Sequence, residues 1–136
     1  MADGFSRQKR PVDDAISLSL RGGPEAAAQA RRALGRLRGD VDPPLMETLR
    51  LLVTELVANA VRHAAAEALT LRVVVGRSVV LTEVTDRGPG FDPANTGTPR
   101  ADQSGWGLFL VERLADRWGV ARDGGATRVW FELRRG

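Results

Sequence analysis

The sequence has no cysteine, one lysine (Lys9) and one histidine (His63) among its 136 residues. Without cysteine there is no disulfide framework and no thiolate metal site, and a single histidine leaves too few ligands for zinc chemistry. The only lysine stands in no GxxxxGK pattern, which excludes a P-loop. No apolar run approaches the ~18 residues of a membrane span, and the polar start Met1-Ala-Asp-Gly lacks the apolar stretch of a signal peptide. The expectation is a soluble cytoplasmic protein with no membrane partner. Aromatic residues make up 5% of the chain, too few to build a stacking platform for single-stranded nucleic acid.

Twenty basic residues oppose 17 acidic ones for a net charge of +3, and every basic residue but Lys9 is arginine. The arginines are dispersed among acids rather than clustered on one helix, so they read as a solvated surface and predict no direct nucleic-acid contact. A length of 136 residues with 43% hydrophobic content fits one domain with one core. Residues 1–14 are polar and aperiodic and read as a flexible tail, leaving 15–136 as the domain.

Ile16-Ser-Leu-Ser-Leu20 alternates as a short strand, and Gly22-Gly23-Pro24 breaks it. A first helix is predicted from about Pro24 to Arg38, then a two-proline turn over Gly39–Pro44, then a long second helix from about Leu45 to Glu67. Leu69–Val75 and Val79–Thr85 flank Gly76-Arg-Ser78 as an antiparallel hairpin. Residues 87–105 are rich in glycine and proline, a long loop of the kind that is usually functional, with a lid expected over about 91–104. A third helix is expected from Trp106 to Trp118, and a last hairpin turns at Gly124-Gly125. These elements predict an α/β two-layer sandwich of the α+β kind: a mixed, mostly antiparallel sheet covered on one face by about three helices.

The second helix carries the most informative pattern. At about 100° per residue, Thr48, Glu55, Asn59 and Arg62 fall on one face, and Leu49, Val53, Leu56, Ala60 and Ala64 on the other. A carboxylate and an amide one turn apart thus look toward a common space. Asp86-Arg-Gly88-Pro-Gly90 follows at the end of an apolar strand, where glycine lets a backbone approach a ligand closely. Gly105-Trp106-Gly107-Leu108 sits where the long loop becomes helix, so its amide N–H groups and the helix dipole suit an anion.

Glu55-x-x-x-Asn59, Asp86-x-Gly88-x-Gly90 and Gly105-Trp106-Gly107-Leu108 resemble, in order and spacing, the N, G1 and G2 boxes of the GHKL ATPase superfamily and its Bergerat ATP-binding fold. The chain is most similar to the free-standing anti-sigma-factor serine/threonine kinases of bacteria, over about Ile16–Leu133. The resemblance implies ATP and Mg2+ as cofactors, with Asn59 as the metal ligand and Glu55 as the catalytic base. It implies that Asp86 accepts a hydrogen bond from the adenine amine, that Thr127 lies beside it, and that Gly88, Gly90, Gly105, Trp106, Gly107 and Leu108 enclose the base and polyphosphate. Arg62 is a candidate phosphate contact, Arg100 a lid residue, and His63 a structural or partner-facing residue. The function so implied is phosphorylation of an anti-sigma antagonist, with a sigma factor as a further partner and a homodimer as the assembly. The alternative is a catalytically silent, ATP-dependent module that sequesters a regulatory protein.

Overall fold

The computed structural model describes residues 14–63, 68–86 and 106–136. In chain order these form β1 (Asp14–Arg21), α1 (Ala26–Leu34), a 3-10 turn (Gly35–Leu37), α2 (Pro43–His63), β2 (Ala68–Val75), β3 (Val79–Asp86), α3 (Trp106–Leu114), β4 (Arg117–Asp123) and β5 (Ala126–Arg134). The strands make one sheet in the order β1-β2-β3-β5-β4, and each neighbouring pair is antiparallel. The helices cover one face, as the two-layer sandwich requires.

Period-two burial explains the sheet. Val80, Thr82, Val84 and Asp86 of β3 are buried on the helical side, while Val79, Leu81, Glu83 and Thr85 between them are only half-buried. In β5 the buried set is Thr127, Val129, Phe131 and Leu133. Against this face α2 presents Leu49, Leu52, Val53, Leu56, Val57 and Ala60, all buried. The uncovered face is held by cross-strand pairs, including Arg72, whose Nη1 donates to Glu83 Oε1 at 3.1 Å, and Arg117 with Glu132 at 3.7 Å.

Both expected hairpins are present. Gly124 (φ 57°) and Gly125 (φ 85°) connect β4 to β5 as a two-residue turn in the left-handed region, which matches the twist of the flanking strands and favours glycine. Helix bounds differ from expectation for local reasons. The first helix begins at Ala26, whose N–H donates to Gly23 O at 3.1 Å, and after Leu34 it tightens into the 3-10 turn before Gly39, at φ 96°, reverses the chain. The second starts at Pro43 because a first-turn proline has no N–H to leave unpaired, while Met46 N–H donates to Asp42 O at 2.8 Å. The third ends at Leu114, and Trp118 lies on β4 rather than completing a helical stripe. Asp116 is the cause: its N–H donates to Glu132 O at 2.9 Å and its Oδ2 accepts from Arg134 N–H at 2.6 Å, so sheet pairing captures the chain there. Leu114 is accordingly 43% exposed.

On the uncovered face Gly119 lies opposite Trp130, and a Cβ at Gly119 would stand 2.7 Å from Trp130 Nε1. Trp130 is also stacked by Arg117, whose guanidinium carbon is 5.9 Å from the ring centroid. Gly119→Ala is therefore expected to destabilise the domain by about 1–3 kcal/mol in urea unfolding. The loss should shrink in a Trp130→Val background, because the coupling lies in that one contact.

Candidate functional site

Strand register brings Asp86 and Thr127 to one end of the helical face. Asp86, the last residue of β3, pairs with Leu69 at the start of β2 and with Thr127 at the start of β5. The end of α2 lies near this row, because only residues 64–67 separate His63 from β2. The start of α3 lies there too, since its other end leads into β4 opposite Glu132, far along β5. The helix α2 packs against α3, β3 and β5. Asn59 from α2, Asp86 from β3, Thr127 from β5 and Leu108 from α3 thus converge at this end.

Their burial distinguishes them. Asn59 is 8% exposed, Asp86 3%, Thr127 2% and Leu108 3%. Four polar side chains are buried among the described residues, and three of them are Asn59, Asp86 and Thr127. Burying a polar group costs about 1–3 kcal/mol unless it is hydrogen-bonded, and a carboxylate costs more. The burial of Asn59, Asp86 and Thr127 therefore sets this end of the domain apart from the apolar remainder of the core.

Glu55, one turn before Asn59 on the same face of α2, is half-buried. Arg62 is exposed and forms no ion pair with Glu55. Thr48, expected on the Glu55 face, is half-buried near the far end of the helix, where its hydroxyl lies 3.4 Å from Pro44 O. Trp106 and Gly107 are the first residues of α3. Gly88, Gly90, Gly105, Arg100 and the expected lid lie outside the described residues, as does Ala64. The fourth buried polar residue is Thr82. Its hydroxyl has no hydrogen-bond partner and it sits mid-strand between Val73 and Phe131, in the core rather than at the site.

A family model described as the histidine kinase-like ATPase domain matches residues 20–133. The chain belongs to that family. Membership implies ATP as the ligand of this ATPase domain. Among solved structures it is similar to the crystal structure of the RsbU and RsbW domains of Rv1364c from Mycobacterium tuberculosis, with a TM-score of 0.67, 22% identity and coverage of 88% of this chain. The present ATPase domain spans 32% of that chain, and the likeness is one of fold. Within the described residues of the ATPase domain, no helix is long and apolar enough to cross a membrane.

If Asn59 and Thr127 are retained for a ligand rather than for folding, Asn59→Leu and Thr127→Val should leave the unfolding free energy within about 1 kcal/mol of wild type or raise it. A loss of about 2–3 kcal/mol in chemical denaturation would instead assign them to the scaffold.

Proposed function

We propose that the domain is a serine/threonine protein kinase of the anti-sigma-factor type. In this reading it phosphorylates a protein antagonist and thereby regulates a sigma factor, working as a cytoplasmic homodimer. The observation that carries it is Glu55 standing one turn from buried Asn59, at the end of the fold where Asp86 and Thr127 are also buried. A domain that only bound nucleotide would have no use for a carboxylate there.

The buried amide, carboxylate and hydroxyl fit the adenine nucleotide and its metal in kind. Magnesium prefers oxygen ligands and keeps several waters, so one neutral amide oxygen from Asn59 is a sufficient protein contribution. Bound magnesium-ATP supplies the transferable phosphoryl group and neutralises charge as it moves. Asp86 accepts a hydrogen bond from the adenine amine, which selects adenine over guanine, and Thr127 stands across the strand pair from it. The backbone N–H groups at the start of α3, around Trp106, Gly107 and Leu108, face the polyphosphate without a lysine. Arg62, exposed near the end of α2, supplies a further cation for phosphate. The family resemblance assigns Gly88, Gly90 and Gly105 to the same site, glycine being the residue that lets a backbone approach a ligand closely. Glu55 takes the proton from the attacking serine or threonine hydroxyl.

Calorimetry with magnesium-ATP and magnesium-GTP on the wild type and Asp86→Ala tests the pocket. The expected result is at least about tenfold preference for ATP, lost in the variant, in line with a site that hydrogen-bonds one base and leaves the other unpaired. Glu55→Gln should keep ATP binding while slowing phosphoryl transfer to a co-encoded antagonist by about a hundredfold or more. ATP binding without transfer by the wild type would replace the kinase with the sequestering module. Absence of ATP binding would remove both.

A further inference from the structure

We propose that the end of the domain opposite the nucleotide residues is a docking site for an acidic, carboxylate-bearing segment of a partner protein. This does not rest on the ATP reading. A cavity of about 1130 Å³ opens between α1, the 3-10 turn, the 38–43 connection and the first turns of α2. Met46 lines it, and Asn59 is thirteen residues further along α2, about 20 Å away at the helical rise.

Arg31, Arg32, Arg38 and Arg50 line this cavity, and none of them takes part in an ion pair among the described residues. The fifth lining arginine, Arg135, is engaged: its guanidinium donates to Gly76 O and to Asp40 O, the latter at 2.6 Å, and so braces the cavity wall. The lining holds five arginines against the three carboxylates of Asp40, Asp42 and Glu47, so the concavity keeps a net positive charge. Guanidinium forks match carboxylates two oxygens at a time.

The shape and the mixed charge choose a polypeptide. The cavity, at the upper end of the ~300–1,000 Å³ of ordinary small-molecule sites, opens along the protein surface as a groove. A second hollow of about 230 Å³ shares Arg31 and Arg50 and adds Leu51, which is 41% exposed. A groove with arginines beside an exposed leucine suits a peptide that mixes carboxylates with apolar side chains. Asp40, Asp42 and Glu47 interrupt the arginines, which disfavours the dense charge of a nucleic acid. The chain's own residues 1–13 are a poor occupant, since Arg7, Lys9 and Arg10 outnumber Asp3 and Asp13.

Fluorescence anisotropy on the full chain decides the matter, using a labelled twelve-residue peptide of repeating Glu-Glu-Leu, its Gln-Gln-Leu counterpart and a twelve-nucleotide single strand of DNA. The glutamate peptide should bind at least tenfold more tightly than the glutamine one, and Arg31→Glu with Arg50→Glu should weaken it at least tenfold. Arg21→Glu with Arg77→Glu, both exposed and outside the cavity, should change it less than twofold. Arg38→Ala, on the exposed turn, is a milder second variant expected to weaken binding about threefold if the double reversal fails to fold. Equal binding of the two peptides, equal loss in both double variants, no loss in Arg38→Ala, or tighter binding of DNA would overturn the proposal. Magnesium-ATP calorimetry on the same variants reads the other site separately and should be unchanged.

Discussion

The register of β3 is the constraint on which the rest depends. Its pairing with β2 and β5 puts Val80, Thr82 and Val84 under the helices and delivers Asp86, on the same face, to the strand's last position beside Thr127. A slip of one residue would turn all four outward and bring Leu81, Glu83 and Thr85 into the core. The apolar side chains of β3 and β5 forbid that slip, so the same burial that stabilises the sheet aims the carboxylate.

The helix α2 connects the two ends of the molecule. Its buried residues seat it on the sheet, and its length separates the arginine-lined cavity at Met46 from the polar cluster at Asn59. It packs on α1, α3, β3 and β5. Arg135 adds a clasp at the cavity end by holding the 38–43 connection and the β2–β3 turn to the C-terminal strand. One end is thus apolar-walled with buried polar groups, and the other is open and cationic.

These two ends were unequally legible beforehand. The alternation of β3 and β5 and the two-glycine turn identified the hairpins, and the one-turn spacing of Glu55 and Asn59 placed both on one helix. The Trp118 assignment failed because the spacing from Leu114 is helical in sequence, whereas the bonds that Asp116 makes to β5 decide the local structure. The arginine cavity was invisible for a different reason. Arg31, Arg32 and Arg38 come from one stretch and Arg50 from another helix, so a linear reading saw dispersed surface charge.

The sequence by itself determined the fold class and the family, because periodicity and motif spacing are local properties that the hydrophobic effect and helical geometry translate directly into faces. Only the tertiary structure decided which polar groups lose water and which charges meet. It put Asp86 opposite Thr127, left the Thr82 hydroxyl unpaired in the core, and gathered four arginines from separate segments around one cavity. Burial and charge proximity arise from contacts between elements distant in the chain, and no single stretch of residues encodes them.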